Sequence, residues 1–559
     1  MAGLLVLAGC APKPSAPQPS SSASAVAWSQ NGWSDAERAE YHHLAEGSEL
    51  IPYALLKNVV SSKTGKPFLD NMERFGFIPD AASPTDNPHG LPVGVTTVHS
   101  RDKSHTGLEM AGFNCAACHV GEVTYRGKKL LIDGAPSLVN LQSYQVEFKD
   151  SLDATLRSPA KAVALAIAMD HDLHAGEAQP SGDTSSYASD PAAKTAGDVA
   201  AAPTADKNFH SVSSQTADAA SASAALQGRT FAARFQRDLA LLKARLAYLK
   251  NGKLLLDGTE PGPGRVDAFG AARNLLFPKD HMKMQSPVSF PFIWDVPDTT
   301  QQRSGTDTVW IHYDGNTNSI LERNIGQAIG MGAVFDPNTY ESTMRIANLH
   351  RLEVLTHKLQ APKWPADIFG SIDQTKATAG EKTFNDTCRG CHQNRLYPLT
   401  DAGTDPQRAN SFGQPVAGGV PFPAAIKPIL DSLKARAFLD DGISTADQAA
   451  MDANPVIWRA TGEYLARPLT GVWATAPYLH NGSVPTLWHL LHSAQRPAKF
   501  IVGNREYDPA KVGYSTDGSG WTFDTSQPGN SNIGHTGDKY GTNLTEDQKA
   551  ALLEYLKTI

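Results

Sequence analysis

The sequence predicts a mainly α-helical protein with long loops and little β-structure. Residues 231–250 carry apolar side chains at helical spacing and so form one wide apolar face. Near the C-terminus, Thr545 and Gln548 form a capping-box pattern ahead of an amphipathic segment, which predicts a terminal helix. Strand signals, in which apolar and polar residues alternate, are sparse.

Length and composition indicate a globular protein of several domains. The chain has 559 residues, and a domain typically takes about 150. Hydrophobic residues make up 41% and charged residues 19%, which supplies a sizeable core and argues against global disorder. The net charge is −7 without a long basic run, which excludes an electrostatic surface for nucleic acid. No stretch reaches about 18 apolar residues, so no membrane-spanning helix is expected.

The first ten residues resemble a bacterial lipoprotein signal. A short apolar run ends in LAGC at residues 7–10, and in such signals the cysteine is lipidated and becomes the mature N-terminus. We therefore expect an exported protein, periplasmic or at the outer membrane or cell surface, that meets the membrane through a lipid on Cys10 only. The alternatives are a chance apolar start, or a truncated signal in which Cys10 has no role.

Four of the five cysteines stand in two copies of one pentapeptide, CAACH at 115–119 and CRGCH at 388–392. In a C-x-x-C-H motif both thiols bond to the vinyl groups of one haem while the histidine binds the iron. A structural zinc site would need two such pairs meeting at one place, and a thioredoxin-like redox pair does not need the histidine. The pattern therefore predicts two covalently bound c-type haems. The attachment residues are Cys115, Cys118, His119, Cys388, Cys391 and His392, with His119 and His392 as proximal ligands.

The two motifs, together with low-complexity segments, define the domain organisation. We expect two cytochrome c-like haem domains, the first with a disordered insertion at about 174–227 that is poor in large apolar residues. The predicted parts are a signal (1–10), a disordered Pro/Ser/Ala-rich tether (11–30), the haem 1 domain (31–365) and the haem 2 domain (366–559).

The ligand on the opposite face of each iron decides between an electron carrier and a site for oxygen or peroxide. After Cys391 the chain contains a single methionine, Met451, but four further histidines. This count favours two histidines on haem 2 over a histidine and a methionine. The four histidines are His480, His489, His492 and His535.

Longer segments around the motifs resemble a known superfamily. AGFNCAACHVGEVTYRGKKLLIDGAPSL and GVWATAPYLHNGSVPTL resemble the bacterial dihaem cytochrome c peroxidase and MauG superfamily. GRVDAFGAARNLLF, FPFIWD and GNSNIGHTGDKYGTNLT resemble its branch of RoxA-type rubber oxygenases. The similarity runs from Trp33 to the C-terminus without the insertion. Ordinary dihaem peroxidases have a methionine downstream of the APYLHNG-like segment, and this chain has none there.

The resemblance implies an oxidoreductase in which haem 1 activates O2 or peroxide and haem 2 transfers electrons from a small redox partner or donor. By position it implies His535, or else His480, as the distal ligand of haem 2. It also places Trp294 and Trp310 in the segment that lines the space between or above the haems, where they would join His119 as catalytic residues. The alternative is that both tryptophans are ordinary core aromatics. A dry, apolar pocket at haem 1 would suit oxygenation, whereas a carboxylate or imidazole would favour peroxide cleavage. The alternative function is a non-catalytic periplasmic electron-transfer cytochrome.

Overall fold

The structure, a computed structural model, describes most of the chain. Cys10, the predicted tether before residue 26, the insertion from residue 175 and the apolar segment 231–250 lie outside the described residues. The chain is described from Val26, and Val26–Trp28 already form a strand. The described residues are 26–102, 108–174, 257–297, 308–393, 395–453 and 455–559.

The helices are mostly short, and many begin at a side-chain cap. Within the described residues, no helix combines the length and apolar character that a membrane crossing requires. The α-helices are α1 (Asp35–His43), α2 (Tyr53–Asn58), α3 (Leu141–Leu156), α4 (Pro159–His174), α5 (Ala268–Leu276), α6 (Ile320–Gly330), α7 (Ile346–Thr356), α8 (Ala366–Phe369), α9 (Gln374–Thr387), α10 (Leu399–Ala402), α11 (Gln407–Ser411), α12 (Phe422–Asp440), α13 (Thr445–Met451), α14 (Leu487–Leu491) and α15 (Glu546–Leu556).

The strands form small separate sheets. One sheet has the order β1-β6-β5, with β1 parallel to β6, and a second has the antiparallel order β2-β4-β3. The remaining strands pair as β7-β8, β9-β12, β10-β11, β13-β16 and β14-β15. The strands are β1 (Val26–Trp28), β2 (Ile51–Pro52), β3 (Val95–His99), β4 (Glu109–Phe113), β5 (Val120–Tyr125), β6 (Lys128–Asp133), β7 (Arg265–Val266), β8 (Val288–Ser289), β9 (Arg395–Pro398), β10 (Pro415–Val416), β11 (Val420–Pro421), β12 (Glu463–Ala466), β13 (Lys499–Val502), β14 (Tyr507–Asp508), β15 (Gly513–Tyr514) and β16 (Trp521–Asp524).

The prediction of a mainly α fold with little β-structure is wrong. About 39% of the described residues are helical and 16% are in strand conformation, which makes a mixed α/β fold with several small sheets. The strands have two to six residues, and so short a strand shows too few alternating positions to be recognised. The β5-β6 hairpin turns at Arg126 and Gly127, which both have positive φ, as a two-residue hairpin turn requires, and Gly127 is the one sequence cue for it.

The predicted terminal helix is confirmed as α15. The Thr545 side chain accepts a hydrogen bond from the backbone N–H of Gln548, and the Gln548 side chain accepts one from the backbone N–H of Thr545. α15 packs along α9 at Gly380, where a Cβ would overlap the carbonyl oxygen of Ala551. Because Cys388 is the C-cap of α9, this packing fixes where the second C-x-x-C-H motif begins.

One hydrophobic core connects the two halves of the chain. It contains buried residues of the first half, such as Ile132 and Trp294, together with Trp473 and Leu552 of the second half. A second cluster lies between β3, β4 and α3, and a third lies between α6, α7 and α12. The first C-x-x-C-H motif lies where the first two clusters meet, since its residues contribute to both.

Candidate functional site

The first C-x-x-C-H motif forms one 3-10 turn between two sheets. Cys115–Ala117 make the turn, and the backbone N–H groups of Cys118 and His119 donate to its first carbonyl at 3.2 and 3.1 Å. The side-chain oxygen of Asn114 caps the turn by accepting from its second N–H at 2.9 Å. β5 begins immediately after His119, so the hairpin fixes the direction in which the chain leaves the turn.

The His119 ring is oriented by a backbone carbonyl. Its Nδ1 donates a hydrogen bond to the Pro291 oxygen at 2.8 Å. Because a carbonyl can only accept, Nδ1 carries the proton and Nε2 keeps its lone pair. Burial and the nearby Arg323 guanidinium lower the pKa of His119 to about 3. A neutral imidazole with a free Nε2 is the form that binds a metal.

The second motif has the same construction at the end of α9. The backbone N–H groups of Cys391 and His392 donate to the Cys388 carbonyl at 3.0 and 3.1 Å. His392 Nδ1 donates to the Arg467 carbonyl at 2.8 Å, which again leaves Nε2 with its lone pair. Burial lowers the pKa of His392. Both motif histidines are therefore held as neutral ligands by carbonyls from distant segments.

His535 faces His392 at the spacing that two ligands of one metal require. The two ring centroids are 6.5 Å apart, with the rings inclined by 52°. Two imidazole nitrogens at about 2 Å from one metal place the ring centroids roughly 6 Å apart. His535 Nδ1 is buried and has no hydrogen-bond partner among the residues that the structure describes. His480 lines the same cavity, but its ring stacks on Tyr464, with centroids 4.1 Å apart.

The cavities around the two motif histidines fit a prosthetic group. The cavity at His392 measures about 260 Å³, and two adjoining cavities at His119 measure about 150 and 110 Å³. One water needs roughly 10–15 Å³ on such a measure. The four motif cysteines line these cavities together with the histidines. Thiols and a neutral imidazole in one cavity are the donor set of a covalently bound haem c.

A half-buried guanidinium–imidazole pair shares the cavities of His119. Arg323 and His312 line both of them. Arg323 Nε donates to His312 Nε2 at 3.1 Å, so the proton of the neutral imidazole is on Nδ1. This Nδ1 atom is buried and makes no hydrogen bond among the described residues, and Asp314 Oδ1 lies 4.0 Å from it. Burial, followed by the charge of Arg323, lowers the pKa of His312 well below its usual value. The Phe269 ring lies 4.7 Å from the His312 ring.

A buried carboxyl group extends this polar side of the cavity. Arg323 Nη1 donates to Asn324 Oδ1 at 3.0 Å, and Asn324 Nδ2 donates to Glu353 Oε1 at 2.9 Å. The other oxygen, Glu353 Oε2, lies 3.3 Å from His350 Nδ1. Burial raises the pKa of Glu353 to about 7. Glu46, on the far side of Cys115, is a second buried carboxyl group whose pKa burial raises to about 7.

A thin wall separates the cavity of His392 from that of His119. Arg467 is central to it, because its guanidinium lies 3.9 Å over the Phe292 ring and Nη2 donates to the Phe292 carbonyl at 3.2 Å. The Arg467 carbonyl is also the acceptor for His392. The residues that line both cavities are Phe292, Tyr313, Leu465, Arg467 and Pro468.

The two predicted tryptophans occupy different places. Trp294 is fully buried, donates from Nε1 to the Thr470 carbonyl at 2.8 Å and stacks on Phe292 at 4.8 Å, so it stands behind the wall. Trp310 lines the cavity of His119, and the Arg459 guanidinium lies 3.3 Å over its ring. Their roles in electron transfer or catalysis stay predictions.

Sequence reasoning missed His312, Arg323 and Glu353. His312 lies in a backbone conformation with φ of 74°, and Arg323 lies one turn into the following helix. Glu353 comes from a third segment, α7, and meets the pair only through tertiary packing. A histidine and an arginine in the run IHYDGNTNSILERN were the available signal, but no motif connects them.

Comparison with protein families supports a haem protein. A family model described as RoxA-like, cytochrome c-like matches residues 462–501. This segment contains Arg467 and His480. A cytochrome c-like segment implies a covalently bound haem c. The prediction of two cytochrome c-like domains is corrected here, because the family model shows one.

Two relatives come from one rhizobial strain, Sinorhizobium fredii NBRC 101917 / NGR234. Protein y4iJ is 30% identical over an alignment of 625 residues that covers 96% of this chain and 93% of y4iJ. Protein y4iM is 32% identical over 323 residues, which cover 54% of this chain and 70% of y4iM. The chain therefore belongs to the family of protein y4iJ, and its RoxA-like cytochrome c-like segment makes it a haem-binding cytochrome.

Proposed function

We propose that this chain is a dihaem c-type oxidoreductase that reduces peroxide at the His119 site with electrons delivered through the His392 site. When bound, haem c supplies redox-active iron at each of the two histidines. The observation that carries the proposal is the polar cavity at His119, which is lined by the half-buried guanidinium and imidazole of Arg323 and His312 and by the buried carboxyl group of Glu353. A dry, apolar pocket would have favoured oxygenation.

Arg323 and His312 have the chemistry that peroxide cleavage requires. Splitting the O–O bond develops negative charge on the departing oxygen, and a guanidinium in a protein cavity stabilises such charge more strongly than it would in water. His312 Nδ1–H makes no hydrogen bond among the described residues, with Asp314 Oδ1 4.0 Å away, and can orient a bound peroxide by donating to it. Arg323 holds the His312 ring in this tautomer through its bond to Nε2.

Glu353 supplies a proton source in the same cavity. Reduction of H2O2 to two waters consumes two protons and two electrons. A carboxyl group with a pKa of about 7 is close to the value at which a group both holds and releases protons efficiently near neutral pH. The electrons come from a small redox partner or donor. In the proposal they reach the His119 site through the site of His392 and His535.

The His392 site fits an electron carrier better than a second reactive site. The imidazoles of His392 and His535, with ring centroids 6.5 Å apart, would together supply both protein ligands of a haem iron held there. Saturation removes the open position that an oxidant needs. The wall that contains Phe292 and Arg467 is thin, so this site lies close to the His119 site. Electron transfer within one chain requires such proximity.

The first experiment tests haem content and peroxide turnover. Purified mature protein should show about two c-type haems per chain in the pyridine haemochrome assay. H2O2 should be consumed when a reduced donor is present, and one ferric haem should be high-spin or should bind CO after reduction. Two low-spin, CO-inert haems without turnover would support the electron-transfer alternative instead.

The second experiment removes the guanidinium. Arg323→Leu should lower kcat/KM for H2O2 by about 10²- to 10³-fold, the usual loss when a charge-stabilising donor is removed. Haem content should stay unchanged. Arg436→Leu, which removes a half-exposed arginine from a surface ion pair, is the control and should leave the rate unchanged. Equal rates in wild type and Arg323→Leu would refute the role of this pair.

A RoxA-like oxygenase is the second candidate, favoured by the family match at residues 462–501. Trp310 and Phe292 give the cavity of His119 an apolar side that could hold a hydrophobic substrate. Oxygen uptake with a polyisoprene substrate, without any consumption of H2O2, would support this candidate over the peroxidase. Export and a lipid on Cys10 also remain part of the proposal, since covalent haem attachment fits an exported protein.

A further inference from the structure

We propose that His350 and Glu353 form a proton entry from solvent into the cavity of His119. The inference rests on the proposed function, since that cavity is where protons would be consumed. His350 and Glu353 are one turn apart on α7. The exposed fraction of the side chain falls from 26% at His350 to 7% at Glu353, so the pair leads from the surface to the cavity wall.

The hydrogen bonds assign a different task to each carboxylate oxygen. Oε1 accepts from the Asn324 amide at 2.9 Å, and that amide is held in turn by Arg323. Oε2 faces His350 Nδ1 at 3.3 Å. Asn324 cannot exchange a proton, so it fixes the carboxyl group. Proton exchange with the outside is left to Oε2.

The proton transfer from His350 to Glu353 needs no reactant other than water. The His350 imidazolium passes the proton on Nδ1 to Glu353 Oε2, which leaves a neutral imidazole and a neutral carboxylic acid. Glu353 then passes a proton to an oxygen of the peroxide that is being reduced in the cavity of His119, and Glu353 becomes a carboxylate. His350 takes up a new proton from water.

The surrounding charges favour this role for Glu353. The groups that face it are His350 on its own helix and Asp452, which follows α13. Asp452 itself is bound by Lys434 of α12. On the side of α6, Arg323 reaches Glu353 only through Asn324. No cation in this set bonds directly to the carboxyl group except the His350 imidazolium. Protonation of Glu353 is therefore controlled mainly by burial and by His350.

The first test compares variants of the two residues in the holoprotein. Glu353→Gln should slow peroxide turnover by about 10²-fold and flatten its pH profile near neutral pH, because the general acid is lost. His350→Ala should slow turnover about tenfold, and imidazole added to the buffer should restore the rate. The same imidazole should not restore Glu353→Gln. An unchanged pH profile in Glu353→Gln would overturn the proposal.

The control is another histidine–carboxylate pair at the surface. His281 lies 2.9 Å from Asp257, and 32% of its side chain is exposed, close to the value for His350. His281→Ala should keep the wild-type rate and show no response to imidazole. Should His281→Ala slow turnover as much as His350→Ala does, the specific pathway would be refuted.

A second readout does not depend on turnover. The infrared carbonyl band of protonated Glu353 can be assigned by its loss in Glu353→Gln and followed after transfer into D2O. The band should shift rapidly in wild type and at least tenfold more slowly in His350→Ala. Rapid exchange in both proteins would refute the entry route. If wild type shows this exchange but no peroxide turnover, the proposed function fails while the proton entry stands.

Discussion

Glu353 is a carboxyl group that the fold forces into a buried position, and its burial should be visible in the stability of the protein. Its pKa is raised to about 7 in the folded chain, from 4.5 when exposed. Between these values the folded state binds more protons than the unfolded state. The unfolding free energy therefore falls as pH rises through this window, and it recovers as pH is lowered.

Glu353→Gln should remove this pH dependence. Compared with wild type, the variant should gain stability as pH rises from about 4 to 8, by up to about 3 kcal/mol at 1.36 kcal/mol per pKa unit. Below about pH 4, under the unfolded-state pKa, the difference should be constant. Chemical denaturation at several pH values measures it, with the exposed Glu381→Gln as control. A difference between wild type and Glu353→Gln that does not vary with pH would contradict the burial argument.

At the scale of single residues, sites built from residues adjacent in sequence could be predicted. Sites built from residues of distant segments could not. The six residues of the two C-x-x-C-H motifs are adjacent in sequence, so their common site follows from their spacing. His312, Arg323 and Glu353 come from three segments, and a lone residue of any of these types is usually structural. The carbonyls that orient His119 and His392 carry no sequence signal at all.

At the scale of elements, one side chain, Arg496, binds several carbonyls of the loop that presents His535. Arg496, after α14, donates two hydrogen bonds at 2.7 Å to the carbonyls of Asn532 and Gly534 and a third, at 3.1 Å, to that of His535. The loop also packs tightly elsewhere, because a Cβ on Gly534 would overlap the Gly403 backbone. Arg496 therefore acts as a positioning residue for His535.

Arg496→Lys should release this loop while keeping the positive charge. Arg496 donates to five carbonyls, whereas a lysine ammonium has only three donors on one nitrogen and lacks the planar fork, so lysine cannot bond to all of them. We expect the low-spin signal of a bis-imidazole haem to weaken and CO binding after reduction to increase. Hydrogen bonds to a charged group contribute about 1.5–3 kcal/mol each, so the loss is large enough to measure. Arg436→Lys is the control, and an unchanged low-spin signal in Arg496→Lys would argue against the positioning role.

Elements were predictable where their signals are long or repeated. The capping box predicts α15 because its two partners, Thr545 and Gln548, lie only three positions apart in sequence. The small sheets were missed because their pairing is decided by distant segments. β1 pairs in parallel with β6, about a hundred residues away, and strands of two or three residues cannot show a period.

At the scale of the whole molecule, the halves that carry the two motifs share contacts as well as a core. Tyr514 donates from its hydroxyl to the Glu122 carbonyl at 3.2 Å, and Arg505 pairs with the Glu122 carboxylate at 3.2 Å. The backbone N–H of Thr124 donates to the Arg505 carbonyl at 2.8 Å. These contacts tie β5, next to His119, to a segment beyond the RoxA-like match. The two sites should therefore keep their relative positions.

Trp473 tests whether this shared core makes the molecule one folding unit. It is fully buried, donates from Nε1 to the Pro362 carbonyl at 2.9 Å and packs on Trp364. Trp473→Ala should lower the unfolding free energy by about 3–5 kcal/mol, the usual loss for a large buried aromatic residue. Calorimetry should show one transition in wild type and a shift of the whole transition in the variant. Leu439→Ala, at a residue that is 72% exposed, is the control and should not shift the transition. Two transitions, of which Trp473→Ala moves only one, would mean that each half folds around a core of its own.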